Sequence, residues 1–222
     1  MTKPLLIDLF CKQGGMSKGY YDAGFDVLGI DIEPQPNYPF DFIQSDVFEI
    51  WDKLPHDKAA AYSGSPPCQE FTQLKSLAVA RNGYYPETKN YIEKTRELFK
   101  STGKPYVIEN VPNAPLINGI TLCGKMFGLK VYRHRMFESN ILLLAPPHIP
   151  HRDQTPSAGN GKSPKGFISV CGTGGVRGMT RKEIVDYWQF AMGIDWMDRE
   201  GLREAIPPAY SFYIGKQLIK AI

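Results

Sequence analysis

The 222-residue chain lacks several features, and each lack excludes a class of protein. No apolar run approaches the ~18 residues that cross a bilayer as a helix. The amino terminus, Met1-Thr-Lys-Pro-Leu-Leu-Ile-Asp8, is broken by an acid and followed by no small-residue cleavage site, so no secretory signal is expected and a cytoplasmic location is. The four cysteines, at positions 11, 68, 123 and 171, form no C-x-x-C pair and read as free thiols. His148 and His151 form an isolated H-x-x-H with Cys123 and Cys171 as distant partners. Structural zinc ligands usually come as two close pairs, so no metal site is expected. Charge of one sign is also missing: 26 basic residues face 23 acidic ones, a net +3. That balance permits nucleic-acid binding without arguing for it, because binding needs clustered charge. Repeats and low-complexity tracts are absent.

What is present suits one sizeable core, with 42% hydrophobic residues. Residues 1–145 alternate between strand-like and helix-like stretches. Leu5 to Leu9, Phe25 to Ile30, Phe42 to Phe48, Ala59 to Tyr62 and Tyr106 to Ile108 read as strands, with further strand material at Leu122, Met126-Phe127 and Met136 to Leu144. Helices are predicted over Met16 to Ala23 and Lys89 to Lys100, the latter from apolar residues near 3.6-residue spacing. This alternation implies an α/β fold with a mostly parallel sheet covered on both faces. Residues 146–180 differ: Pro, Gly, Ser, Lys and His dominate, and Phe167 to Val170 is the one clear strand. Thr180 with Glu183 forms a capping-box pattern opening a helix to about Met192, and Pro207-Pro208 opens a last helix. The division expected is a catalytic and cofactor-binding region over 1–145, a short recognition region over 146–180, and helices over 181–222 that complete the first region.

The residues that could carry chemistry stand at strand ends. Asp8, Asp31, Asp46 and Glu109 are acids at or near strand termini, and open α/β sheets bind ligands outside the carboxyl ends of their strands. Asp31 could accept hydrogen bonds from a ribose diol, and Gly14-Gly15 would let a ligand approach the backbone closely. A turn and a surface acid would look the same. In Gly64-Ser-Pro-Pro-Cys-Gln69, Cys68 follows a buried strand on a loop stiffened by two prolines, where a thiol can be exposed and activated. A buried structural cysteine is the plainer alternative. Glu109, in Glu109-Asn-Val111, faces the same sheet edge. Partial burial there would raise its pKa and let it hold a proton near neutral pH. Arg133 and Arg135, two apart, would share one face of a strand, although a solvated basic edge is equally compatible with the spacing.

Asp8-Leu-Phe-Cys-Lys-Gln-Gly-Gly15, Ser65-Pro-Pro-Cys-Gln69, Glu109-Asn-Val111 and Arg133-His-Arg135 occur in the order and rough spacing of DNA cytosine-5 methyltransferases. The chain resembles that family from about residue 4 to 145 and again from Ala205 to Gly215, and its short length and Glu-Ala-Ile-Pro-Pro-Ala-Tyr ending look like phage or prophage members. The resemblance implies a Rossmann-like S-adenosylmethionine-dependent sheet with a small target-recognition insertion. On that pattern the cofactor site comprises Asp8, Phe10, Gly14, Gly15, Asp31, Ile32, Asp46 and Pro66. Phe10 and the glycines would line the methionine end, Asp31 would take the ribose, Ile32 would pack on adenine and Asp46 would accept from its amine. Cys68 would be the nucleophile, Glu109 would contact N3 and the exocyclic amine of cytosine, and Arg135, with Arg133 nearby, would hold the pyrimidine O2 or its phosphates. A stacked base cannot be reached by such a thiol, so the resemblance also implies base flipping. Gln69 to Tyr85 would be the plugging loop, with Gln69, Lys75, Arg81 and Asn82 toward the nucleic acid and Phe71 or Gln73 filling the vacated space.

Two departures stand out. Val131 occupies a position where the family usually carries Gln, and Arg203-Glu204 replace the Gly-Asn that usually opens its last motif. The stretch between the arginine pair and the last motif is also short. Roughly 35 to 60 residues, about a hairpin or two, imply a short or relaxed target site. Arg177 and Arg181, with Lys182, could reach a groove, since arginine to guanine is the commonest specific contact. The expected partner is double-stranded DNA, met by a monomer with no membrane association, in a restriction-modification setting. An RNA substrate, as in a tRNA-methylating branch with these motifs, and a catalytically inactive nucleic-acid-binding module are the alternatives.

Overall fold

A computed structural model describes residues 2–67, 91–148, 150–151, 166–170 and 179–222. Its centre is a seven-stranded sheet in the order β3-β2-β1-β4-β5-β7-β6. The strands are β1 (Leu5–Leu9), β2 (Asp26–Asp31), β3 (Asp41–Gln44), β4 (Ala59–Gly64), β5 (Tyr106–Asn110), β6 (Ile120–Leu122) and β7 (Arg135–Ser139). The first five pair in parallel, whereas β7 runs antiparallel to both β5 and β6. The expected α/β class and mostly parallel sheet are therefore present.

Burial on both faces explains why the strands read as continuous apolar runs and not as alternating ones. In β1, Leu6 points to one face and Ile7 and Leu9 to the other, all fully buried. On Leu6's face lie α1 (Gly15–Ala23) and the last helix, α6 (Pro208–Leu218). Together they bury Tyr20, Tyr210, Ile214 and Leu218. The two helices cross closely at Gly19, where a Cβ would collide with the Pro208 carbonyl oxygen and the Ser211 hydroxyl. On the opposite face Trp51, Ile92 and Phe99 cover Ile7, Tyr62 and Ile108. Trp51 belongs to a short turn that follows α2 (Val47–Ile50), while Ile92 and Phe99 belong to α3 (Tyr91–Ser101). A third cluster joins α4 (Arg181–Met192) and α5 (Arg199–Glu204) through Trp188, Met192, Met197 and Leu202.

Several local expectations hold. Thr180 caps α4, its hydroxyl accepting from the Glu183 amide while Glu183 accepts from the Thr180 amide at 2.7 Å. Pro208 sits in the first turn of α6, where its missing N–H costs no intrahelical bond. Others are corrected. Met126-Phe127 lie in a 3₁₀ turn over Gly124–Phe127, and β3 ends at Gln44. Phe167 to Val170 is not a strand; the Ile168 amide donates to the Lys130 carbonyl at 2.8 Å.

Candidate active site

A cavity of about 290 Å³ opens at the carboxyl ends of β1, β2, β4 and β5. This edge gathers loops that a parallel sheet places side by side. One part of the wall comes from β1 and the loop after it, where Phe10 and Lys12 adopt left-handed backbone conformations with φ of 58° and 46°. That loop is pinned by Asp31 at the end of β2, whose carboxylate accepts the Lys12 and Glu33 amides, both at 3.0 Å. Asp31 thus both lines the cavity and shapes its rim. Phe10, Ile32, Met16 and Met197 supply apolar surface, and Ile32 is 62% exposed.

Asp8 projects from β1 into the same cavity and is almost wholly buried. Burial pushes its carboxyl up to about 6, against the opposing hydroxyls of Ser17 and Ser63. Ser17 on α1 donates to it at 2.5 Å. Cys11 also lines the cavity, but burial, with the charges of Asp8 and Asp31, pushes its thiol far above the ordinary value. Cys11 is therefore held as a protonated thiol and makes a poor nucleophile.

Glu109 and Arg135 form the far wall. Arg135 Nε stands 3.1 Å from Glu109 Oε1, with the glutamate buried and the arginine partly open. Burial raises the Glu109 carboxyl above its usual range despite Arg135, the Ser65 hydroxyl and Arg133, which all pull it down. Next to Glu109, the buried Asn110 donates from Nδ2 to the Pro66 carbonyl at 2.8 Å. This bond fixes the Ser65-Pro66-Pro67 segment, itself part of the cavity wall, against β5. The chain continues from Pro67 into Cys68. Cys68, Gln69, Lys75, Arg81 and Arg177, together with Phe71, Gln73 and Asn82, lie outside the described residues.

Of the expected cofactor residues, Asp8, Phe10, Gly15, Asp31, Ile32 and Pro66 all line this cavity. Gly14 and Asp46 do not line it. Gly14 provides the left-handed turn, φ 82°, at the start of α1, packed against Tyr38. Asp46 caps α2 by accepting the Phe48 amide at 2.7 Å. Gly15 is required by protein packing as much as by any ligand: a Cβ there would strike the Ile206 carbonyl oxygen. Arg133 departs from expectation. It precedes β7 in a left-handed conformation, φ 37°, so the two-residue spacing does not place it on Arg135's face. Its guanidinium instead donates to the carbonyls of Val170 at 3.1 Å and Arg203 at 2.6 Å, bracing the wall from behind. Arg181 is exposed in the first turn of α4.

In the sequence, 203–206 stood out only as a departure from the family's last motif, and Met197 carried no assigned role. Met197, Arg203, Glu204, Ala205 and Ile206 also line the cavity. Trp196 Nε1 donates to the Gln13 carbonyl at 2.8 Å, and Gln13 Nε2 to Asp198 at 3.0 Å, tying α5's approach to the loop after β1. The usable signal was the Trp-Met-Asp sequence before an amphipathic turn, but its partner lies more than 180 residues away.

No protein-family profile matches the chain. Among curated proteins, the Type II methyltransferase M.AgeI of Thalassovita gelatinovora is 31% identical over 137 residues, covering 54% of this chain and 30% of its own length. M.XorII of Xanthomonas oryzae pv. oryzae is 30% identical over 159 residues, covering 64% of this chain and 32% of its own length. The matched part spans about a third of either relative. Among solved structures, a protein described as a DNA modification methyltransferase encoded within an E. coli prophage superposes with TM-score 0.62 at 15% identity, covering 97% of this chain and 98% of its own. The Dnmt2 methyltransferase of S. pombe gives TM-score 0.61 at 12% identity, covering 99% of both chains. At these identities the structures establish a shared fold.

Proposed function

We propose that this chain, a relative of the Type II methyltransferases with a Rossmann-like methyltransferase sheet, transfers a methyl group from S-adenosylmethionine to C5 of cytosine in DNA. The observation that carries the reading is the shared cavity. A buried Glu109, its carboxyl raised by burial and paired with Arg135, shares that cavity with the Ser65-Pro66-Pro67 segment that precedes Cys68 in the chain, and acidic and apolar side chains suited to a nucleoside line the same space.

The pocket's chemistry suits the cofactor. Asp8 and Asp31 offer negative charge to a sulfonium and a ribose, Phe10 and Ile32 offer apolar surface to adenine, and the amino end of α1 at Gly15 favours a carboxylate. Bound there, the cofactor supplies an electrophilic methyl group. The chain's residues do the rest. C5 of cytosine is a weak nucleophile, so the Cys68 thiolate adds to C6 while Glu109 holds a proton at N3. Adding at C6 breaks aromaticity and makes C5 enamine-like. Arg135 orients the ring through O2 and keeps Glu109 in place. After methylation a base removes the C5 proton and the thiolate leaves. Methylating an exocyclic amine needs no such adduct, so a cysteine next in sequence to the Pro66-Pro67 wall supports carbon as the acceptor. The base must leave the stack, which costs a few kcal/mol, and the loop from Gln69 to Tyr85 would fill the gap. Lys75, Arg81, Arg177 and Arg181 would contact the DNA.

The deciding experiment is nucleoside mass spectrometry of duplex DNA and tRNA after incubation with the protein and labelled cofactor. The expected product is 5-methylcytosine in the DNA, lost in Cys68→Ser while cofactor binding persists. Methylated adenine or N4-methylcytosine, product confined to tRNA, or full activity in Cys68→Ser would overturn the proposal.

A further inference from the structure

Away from the cavity, Cys123, His134, His148 and His151 bring one ligand atom each to a common point, with all four atoms within 4.8 Å of one another. Cys123 follows β6 and is fully buried; His134 immediately precedes β7; the other two lie in the segment beyond β7. The Cys123 Sγ stands 3.2 Å from His151 Nε2, and that same nitrogen stands 3.1 Å from His148 Nε2. The ring centroids of His134, His148 and His151 are 4.9–5.4 Å apart.

Hydrogen bonding accounts poorly for this cluster. An imidazole nitrogen has one in-plane position, holding either a proton or a lone pair. His151 Nε2 cannot serve the sulfur and the second imidazole together, yet both are in contact with it. A cation at the centre satisfies every partner. Tetrahedral zinc, with bonds of about 2.0–2.1 Å to nitrogen and 2.3 Å to sulfur, separates its ligand atoms by roughly 3.3–3.6 Å; the two contacts at 3.1 and 3.2 Å fall just short of that span, and every pair lies within 4.8 Å.

We propose that Cys123, His134, His148 and His151 form a closed, four-ligand site for a divalent transition metal, with zinc the ion that the one-sulfur, three-nitrogen set selects. Two surrounding features are of the kind that hold metal ligands in place. The Cys123 sulfur accepts the backbone amides of Lys125 and Met126 in the turn that follows it, the support a thiolate ligand requires. The His151 ring is stacked on Tyr132 at 4.0 Å and 13°, and Tyr132 is stacked on Phe167 at 4.3 Å and 10°, which fixes the imidazole's direction. Linear spacing concealed the set, because His134 lies between two arginines and pairs with neither end of the H-x-x-H. With four protein ligands the metal has no open position, so its role is to position structure. It staples the turn after β6 and the segment at 148–151 to His134, the neighbour of Arg135 in the chain.

The test uses the full-length protein purified without chelators and dialysed against metal-free buffer. Elemental analysis should find about one zinc per chain, falling severalfold in His148→Ala, a variant of an exposed residue that preserves the fold by circular dichroism. Cobalt(II) added to protein stripped by chelator should give tetrahedral ligand-field bands and a thiolate charge-transfer band. Cys123→Ser should abolish the charge-transfer band. If Cys123→Ser fails to fold, loss of the ligand-field bands in His148→Ala is the alternative measurement. A folded wild-type chain with substoichiometric metal and no cobalt bands would overturn the proposal, as would zinc retained undiminished in a His134→Ala/His148→Ala chain.

Discussion

Asp8 shows how one residue can set stability against function. Its folded-state pKa of about 6 exceeds its ordinary 3.8 because of burial. The native chain therefore holds this proton more tightly than the unfolded chain does. Its contribution favours folding below about pH 4 and is lost as pH rises through about 6. At neutral pH Asp8→Asn should melt higher than the wild type, and the difference should vanish by about pH 4. Thermal melts across that range check this, and equal melting temperatures at neutral pH would refute it. Under the proposed function the same substitution weakens cofactor binding, because a cationic sulfonium offsets the cost of the buried charge. Glu109 is the second such residue, raised by burial against the pull of Arg135. Glu109→Gln keeps the shape but cannot hold a transferable proton in the same way. Its kcat on cytosine-containing duplex should fall by about 10²–10⁴-fold, with cofactor affinity unchanged in titration calorimetry. A kcat within the wild-type range would remove Glu109 from the chemistry. Both residues were legible as acids at strand ends. Arg133 was misread because two-residue spacing implies a shared face only inside a strand, and its left-handed φ comes from a turn that pattern alone does not reveal.

At the scale of elements, a buried ion pair holds the antiparallel edge to the rest of the sheet's cover. Arg96 of α3 donates to both oxygens of Glu138 on β7, at 2.6 and 2.8 Å, and to the Pro115 carbonyl at 3.0 Å. Glu138 also accepts the Ile117 amide at 2.8 Å. Arg96 is 1% exposed and Glu138 3%; without Arg96 the Glu138 charge loses its buried cation, and without Glu138 the Arg96 charge is left with Glu93, itself largely in water. Glu138→Ala should destabilise by about 3–5 kcal/mol, a fall in melting temperature of roughly 6–20 °C. An Arg96→Met/Glu138→Leu chain should recover most of that loss, since it buries no unpaired charge. Denaturant unfolding of the three variants decides; additive losses would show that the two residues act independently. None of this was visible in the sequence, where Arg96 reads as the polar side of a helix and Glu138 as an acid in a strand. Elements whose cues are local were readable: α4 from its Thr180–Glu183 box, α6 from Pro207-Pro208, and the parallel strands from their apolar runs. The antiparallel turn of β6 and β7 was not readable, because pairing direction depends on how the chain reverses after β5.

At the scale of the molecule, the chain's last quarter completes a site whose other walls come from residues 8–135. Ala205 and Ile206 form cavity wall and pack on Gly15, and α6 then lies along α1, so the fold closes only when residues about 190 apart meet. Tyr210, Ile214 and Leu218 are fully buried in the cluster that also holds Leu6, Tyr20 and Phe25. At about 1.5–3 kcal/mol per large apolar side chain, these three contribute roughly 5–9 kcal/mol. That is comparable to the 5–15 kcal/mol by which a whole domain is typically stable. A chain ending at Glu204 should therefore lose the fold as a unit rather than shed one helix. Its thermal melt should show no cooperative transition, and it should bind a hydrophobic dye at room temperature. Substituting Leu218→Ala in the full chain is the graded counterpart, with an expected loss of about 2–5 kcal/mol in denaturant unfolding. A truncated chain that still melted cooperatively near the full-length temperature would mean that the sheet's first face is held by α1 alone. The closing helix would then serve the cavity wall and not the core.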